Sequence, residues 1–155
     1  MKIGFFLKDI GNNQIAFDLI TQINTYLKTN KQDDIVIFVE NIEQPIKTPS
    51  CPVLLAGEVW SYTGAIVATS ISTAGKLINA ISPTKKMLLI HSPEWFNQQQ
   101  LLRYEMSHQT LMYPKLDILT IDNDYKKLFL SCFNKEPSLV WKNFDIKQLM
   151  EHVNK

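Results

Sequence analysis

Short apolar runs and helix-period apolar stripes alternate along this chain from end to end. Lys2 to Leu7 (KIGFFL) is almost continuously apolar, the pattern of a strand covered on both faces. Gly11, Asn12 and Asn13 break the run, and Asn13 is placed to cap a helix. Within Asn13 to Thr29, Ile15, Leu19, Ile23, Tyr26 and Leu27 recur at helical spacing, and Asn30 ends the pattern. Ile35 to Val39 (IVIFV) is β-branched and wholly apolar, which predicts a second buried strand. Pro45, Pro49 and Pro52 then mark a loop. Val53 to Ala56 predicts a third strand, Gly57 to Gly64 (GEVWSYTG) a connection bounded by glycines, and Ala65 to Thr69 (AIVAT) a fourth strand.

The second half repeats the alternation. Ser70 or Ser72 can cap a helix through Ala80, with Ile71, Ala74, Leu77, Ile78 and Ile81 on its apolar side; Pro83 ends it. Met87 to Ile90 (MLLI) predicts a fifth strand, Leu101 to Met112 a helix with a mixed face, and Leu116 to Ile121 a sixth strand. Asp122 or Asn123 caps a helix to Phe133, whose stripe is Tyr125, Leu128, Phe129 and Cys132. Ser138 to Trp141 reads as a short last strand, and Asp145 caps a terminal helix with Ile146, Leu149, Met150 and Val153 on one face. Strands and helices in this order imply α/β architecture: a mostly parallel sheet of six to seven strands with helices on both faces. No internal repeat or low-complexity linker divides the chain, so one doubly wound domain is expected over residues 1–155.

Composition narrows the function. The 155 residues carry a formal net charge of +1, without the basic excess of a nucleic-acid binder. With 45% hydrophobic residues the chain has enough apolar surface for a core, and no apolar run approaches the ~18 residues of a membrane span. The opening MKIGFFLKDIG is interrupted too soon by Lys8 and Asp9 to be a secretory signal. The two cysteines, Cys51 and Cys132, lack a CxxC spacing and read as reduced, packed, small apolar side chains. A cytoplasmic setting is the corresponding expectation.

In an open parallel sheet, ligands bind beyond the carboxyl ends of the strands, near the point where strand order reverses. That rule selects the segments Lys8 to Asn13, Glu40-Asn41, Gly57 to Gly64, Ser70, His91 to Trp95, Asp122 to Asp124 and Lys142-Asn143. The turn after the first strand, KDIGNN, holds one glycine, and no GxxxxGK[ST] or GxSxG is present. The three histidines, His91, His108 and His152, have no metal-ligand spacing with each other or with the cysteines. Neither a cofactor nor a metal is therefore expected.

Three clusters carry the remaining chemistry. In His91-Ser92-Pro93-Glu94-Trp95, a histidine at a strand end can move protons near neutral pH with Glu94 close by; the alternative is loop hydrogen bonding, a first helical turn and Trp95 as packing. In Glu58 to Thr63 (EVWSYT), Trp60 and Tyr62 can form platforms for apolar sugar faces or bases while Glu58 and Thr63 supply hydrogen bonds; the alternative is that both rings cover the sheet edge and fill a long loop. Gly11-Asn12-Asn13 could present backbone N–H groups to an anion, or could be a simple turn. Asp122-Asn123-Asp124 lacks the rest of a calcium loop and reads as a helix cap, and Lys85-Lys86 and Lys126-Lys127 read as solvated charges.

Two stretches carry a resemblance. Ala65 to Trp95, AIVATSISTAGKLINAISPTKKMLLIHSPEW, resembles a segment of bacteriophage-associated, glycosyltransferase-like proteins: a strand ending in Ala-Thr, a helix with a Thr-Ala-x-x-Leu core, and a lysine-flanked strand running to a Glu-Trp step. Leu116 to Leu149 is similar to the last part of the N-terminal domain of a GT-B glycosyltransferase, including an Asn-x-Asp-like step at Asn143-Phe144-Asp145. Together they cover about half the chain. The resemblance implies a Rossmann-like, three-layer α/β/α domain corresponding to the acceptor-binding half of such an enzyme. It implies cleft-facing positions at Gly11, Glu58, Trp60, Tyr62, Thr63, Ser70, His91, Glu94 and Trp95. In that family a second half of roughly 150 residues holds the nucleotide-sugar donor. The chain ends at Lys155, where such a half would begin.

Two readings follow. In the first, the chain is an acceptor-binding half that needs a separate donor-binding partner for sugar transfer and is inactive alone; His91 or Glu94 is the proton acceptor, and Trp60, Tyr62 and Trp95 are the acceptor platform. In the second, the same edges and aromatic loop belong to a non-catalytic interaction module, or to a self-associating domain of unknown ligand. A flavodoxin-like or nucleotide-binding regulator, with phosphate on the Lys8 to Asn13 loop, is a third reading.

Overall fold

Seven segments of the chain pair into one sheet, in the order β3-β2-β1-β4-β5-β6-β7, and all six pairings are parallel. The strands are β1 (Lys2–Leu7), β2 (Asp34–Val39), β3 (Val53–Leu55), β4 (Ala65–Ala68), β5 (Lys85–Ile90), β6 (Leu116–Thr120) and β7 (Leu139–Val140). The helices are α1 (Gln14–Leu27), α2 (Ile71–Leu77), α3 (Leu101–Leu111), α4 (Asn123–Phe133) and α5 (Ile146–Val153). This computed structural model describes residues 2–11, 13–97 and 101–154.

The chain winds from β1 outward through β2 to β3, returns to lay β4 beside β1, and then winds the other way to β7. Crossovers between parallel strands keep one hand, so reversing the direction of winding moves the connections to the opposite face. Accordingly α1 and α5 bury one face of the sheet, with Ile3, Phe5, Leu7, Ile35, Ile37, Val39, Val67 and Leu89 beneath them. α2, α3, α4 and a short 3-10 helix at Ala56–Trp60 cover the other, over Phe6, Phe38, Ile66, Leu88, Ile90 and Ile118. The strands read as continuous apolar runs because both their faces are covered. The architecture is Rossmann-like: three α/β/α layers and a parallel seven-stranded sheet.

Local chemistry sets the element ends. Asn13 Oδ1 accepts from the amides of Ile15 (3.0 Å) and Ala16 (3.4 Å) at the start of α1. Asp122 Oδ1 accepts from Asp124 (2.9 Å) and Tyr125 (2.8 Å), and Asp145 Oδ1 from Lys147 (2.9 Å) and Gln148 (3.2 Å). Between β2 and β3 no helix forms; Asn24 of α1 instead holds that proline-marked connection, donating to the Thr48 carbonyl (2.9 Å) and accepting from the Ser50 amide (2.7 Å). Trp141 is fully buried, stacks on Phe5 at 6.0 Å, and donates its Nε1–H to the Asp145 carbonyl (2.7 Å).

Four expectations are corrected. Ile81 is 92% exposed, because α2 stops at Leu77 and the following turn leaves its apolar stripe. Cys132 is exposed, because Phe129 and Phe133 take the buried line of α4 and push position 132 to its flank. β5 begins at Lys85, two residues early, since the lysine stems lie along the sheet and their ammonium groups reach the carbonyls of His152 (3.2 Å) and Ile78 (2.9 Å). Gly57 to Gly64 is not wholly a carboxyl-end loop: it starts with the 3-10 helix after β3 and must reach the amino end of β4 to keep the sheet parallel.

Candidate functional site

The switch in winding direction lies between β1 and β4, so the crevice of interest opens beyond Leu7 and Ala68. On the β1 side the turn is tied internally. Asp9 Oδ1 accepts from the Gly11 amide (3.2 Å), and the Gly11 carbonyl accepts from the Asn13 amide (2.8 Å). Gly11 is buried, and a Cβ built on it would overlap the Glu43 carboxylate. Two carboxylates thus flank this turn, which is the wrong charge for a phosphate cradle. Asn12, the middle residue of the anion-site reading, lies outside the described residues.

The β4 and β5 ends are wired to each other. Thr69 is buried, and its amide donates to the Phe6 carbonyl of β1 (3.1 Å). Ser70 caps α2: its Oγ accepts from the Thr73 amide (3.1 Å), while Thr73 Oγ1 accepts from the Ser70 amide (3.2 Å). Glu94, from the segment after β5, completes that helix end by accepting from the Ile71 amide at 2.9 Å. His91 Nε2 lies 2.8 Å from the Thr69 carbonyl oxygen and 3.9 Å from Glu94 Oε1.

A carbonyl oxygen only accepts, so the Nε2 that faces Thr69 carries a proton, and in the neutral imidazole Nδ1 is then the acceptor. No hydrogen bond to Nδ1 is present among the described residues. The His91 side chain is 19% exposed: held, yet reachable. Glu94 has one oxygen on the helix and the other facing the imidazole. It positions the ring and the helix, which leaves His91 as the group with open basic capacity.

The remaining sequence-selected residues separate. Trp95 is 3% exposed and packs edge-on against Phe129 (5.8 Å) and Phe133 (5.3 Å); it is a core side chain with no face open to a ligand. Tyr62 sets its ring edge on Phe38 at 5.2 Å. Burial first, and then the charge of Asp34, push its phenol well above the ordinary range. Asp34 begins β2 and Gly64 precedes β4, so Tyr62 and Thr63 lie toward the amino end of the sheet, opposite His91. Glu58 and the half-exposed Trp60 sit on the 3-10 helix between the two ends. The carboxyl edge therefore gathers Gly11, Ser70, His91 and Glu94, while Tyr62 and Thr63 lie toward the other end and Trp95 is turned into the core.

Pairing across the fold adds partners that sequence spacing does not show. Glu40, after β2, receives Lys76 of α2 at 2.9 Å, and its side chain is only 13% exposed. Glu43 lies over Gly11. Surface hollows of about 520 Å³ (lined by Lys85, Lys86, Lys115 and Asp117) and 390 Å³ (lined by Lys28, Lys31, Asp33 and Asp34) lie at strand amino ends. Neither includes His91 or Glu94.

Among the described residues no cluster of three or more His, Cys, Asp or Glu side chains could hold a metal ion, and no helix is long and apolar enough to cross a membrane. Comparison with protein-family models, curated proteins and solved structures gives no significant match.

Proposed function

We propose that the chain is the acceptor-binding half of a glycosyltransferase-like assembly of the GT-B type, related to the phage-associated proteins that Ala65 to Trp95 resembles. A donor-binding half completes the site across the carboxyl edge. The observation that carries this reading is His91: it stands at the end of β5, next to the reversal of strand order, with Nε2 fixed on the Thr69 carbonyl and Nδ1 open.

In this reading His91 Nδ1 takes the proton of an acceptor hydroxyl as its oxygen attacks the anomeric carbon of the donor. The bond from that carbon to the nucleotide diphosphate breaks, and the diphosphate leaves with the electron pair. Glu94 holds the imidazole side of the edge, and Trp60, half exposed on the 3-10 helix after β3, offers an apolar face to the sugar.

The test is calorimetric titration of oligosaccharide acceptors and nucleotide sugars, with the chain alone and with the products of neighbouring genes. Acceptor binding by the chain alone, and transfer only when a donor-binding protein is added, are expected. His91→Asn is expected to lower transfer by roughly 10²–10⁴-fold while leaving the unfolding midpoint in place. Heatless titrations in every combination, with no transfer, would overturn the reading.

A further inference from the structure

We propose that the hollow between the end of α2 and the amino ends of β5 and β6 binds a phosphomonoester with a compact apolar body. This inference does not rest on the reading of the carboxyl edge, which lies at the other end of the strands. The hollow measures about 520 Å³, within the range of small-molecule sites, and its charged lining is Lys85, Lys86, Lys115 and Asp117. The hollow of about 390 Å³ sets Lys28 and Lys31 against Asp33 and Asp34, so of these two the first has the surplus of cations.

The sheet itself brings the cations together. Parallel register pairs Lys86 with Leu116, which brings Lys115 level with Lys85 where the β5–β6 ladder starts. Alternation along β5 sends neighbouring side chains to opposite faces. The Lys86 ammonium donates to the Ile78 carbonyl at the end of α2 (2.9 Å). That of Lys85 donates to the His152 carbonyl of α5 (3.2 Å) and lies 3.6 Å from Asp117 Oδ2, so the one carboxylate of the hollow is already matched. Lys86 and Lys115 have no carboxylate partner among the described residues. An ammonium has three donors, and Lys86 uses one of them. Desolvation first, and then the charge of Lys115, lower the Lys86 pKa from its ordinary value, so the two ammonium groups repel each other. An anion between them turns that repulsion into attraction on both sides.

The surroundings decide the kind of anion. The end of a helix ordinarily disfavours negative charge, but the last carbonyls of α2 are taken. That of Gly75 accepts from Asn79 Nδ2 (3.0 Å), that of Lys76 from the Asn79 amide (3.2 Å), that of Leu77 from the Ala80 amide (3.0 Å), and that of Ile78 from Lys86. Two point charges on flexible stems suit a tetrahedral, doubly charged phosphate. A planar carboxylate is matched best by the fork of an arginine, and no arginine lines the hollow. Thr84 and Tyr113 also line it, and their hydroxyls have no hydrogen-bond partner among the described residues, which leaves them able to donate to further phosphate oxygens. Ile78, the Tyr113 ring and Ile81, which is 92% exposed, supply the apolar surface for the rest of the ligand.

Calorimetric titration of the intact chain at low ionic strength tests the site, with phenyl phosphate as the probe. Inorganic phosphate, benzoate and phosphatidic-acid vesicles are the comparisons. Phenyl phosphate should bind at roughly 0.1–1 mM, and inorganic phosphate and benzoate about fivefold more weakly or worse. Lys115→Met, at an exposed position, should weaken phenyl phosphate about five- to tenfold with an unchanged unfolding midpoint. Ile81→Asp, which sets a carboxylate at the rim, should weaken it at least as much. Lys31→Met removes the same charge from the balanced hollow and should change the affinity less than about twofold. No heat with phenyl phosphate up to about 10 mM would overturn the proposal. So would equal losses in Lys31→Met and Lys115→Met, which mean a diffuse field, benzoate bound as tightly as phenyl phosphate, or capture by the vesicles without binding of the soluble ester.

Discussion

The Glu94 carboxylate accepts a hydrogen bond from the Ile71 amide at 2.9 Å, joining the end of β5 to the first turn of α2 across 23 positions of sequence. The first N–H groups of a helix have no partner within it, and a carboxylate there also meets the positive end of the helix dipole. Glu94→Ala should therefore cost about 1–2 kcal/mol. Glu94→Gln keeps an acceptor oxygen and should cost less than half of that. Urea unfolding of the two variants against wild type measures both.

The two thiols should differ sharply. Burial pushes the Cys51 thiol up to about 12, whereas Cys132 is exposed. A rise from 9.0 to about 12 lowers the thiolate fraction of Cys51 about a thousandfold near neutral pH, so a thiol reagent should label Cys132 first and Cys51 only on unfolding. The same shift fixes an alkaline dependence. The folded state holds this proton more tightly than the unfolded chain, so the contribution is intact below about pH 9 and declines as pH rises toward 12. Cys51→Ala should flatten that decline in a series of unfolding curves.

Lys135 gathers one end of α3. Its ammonium donates to the carbonyls of Leu111 (2.9 Å), Tyr113 (3.1 Å) and Leu116 (3.0 Å). Desolvation by this half-buried position lowers the lysine's pKa from its ordinary value. Lys135→Met keeps the apolar stem and removes the three donors; a loss of about 1.5–3 kcal/mol is expected by thermal or urea unfolding.

Two glycines should answer differently to alanine. A Cβ on Gly64 would lie 2.7 Å from the Lys2 carbonyl and 2.5 Å from the Tyr62 ring, and the first of these is backbone that cannot swing aside. Gly64→Ala should cost about 1–3 kcal/mol. At Gly11 the nearest obstacle is the flexible end of Glu43, with its Cβ at 3.1 Å as a lesser one, so Gly11→Ala should cost less than Gly64→Ala, about 0.5–1 kcal/mol. Parallel urea titrations separate the two cases.

Tryptophan fluorescence provides a direct view of the carbohydrate reading. Trp60 is 50% exposed, against 3% for Trp95 and 0% for Trp141. Acrylamide should quench one component strongly, and Trp60→Phe should remove that component. An acceptor sugar that stacks on Trp60 should protect the same component and leave the other two unchanged.

The strand and helix order was legible because its signals are local. KIGFFL and IVIFV can satisfy two buried faces only as central strands, and Asn13, Ser70, Asp122 and Asp145 announce helix starts through their own short side chains. The pairing of His91 with Glu94 at one strand end was also legible, since the two are three residues apart. Trp95 was not, because whether a ring is a platform or a core residue depends on what lies above it, and Phe129 and Phe133 come from a helix about 35 positions later. Glu40 with Lys76, and Gly11 with Glu43, leave no trace in spacing for the same reason.

The sequence by itself determined an α/β chain, the approximate span of each element and the placement of imidazole and carboxylate at the tip of β5. These follow from periodicity, capping and steric preference acting over a few residues. Only the tertiary structure decided the order of strands, which aromatic rings were buried, and the separation of Tyr62 and Thr63 from His91. Those depend on where a parallel crossover must begin and end, and on which helix covers which face, matters settled between residues far apart in the chain.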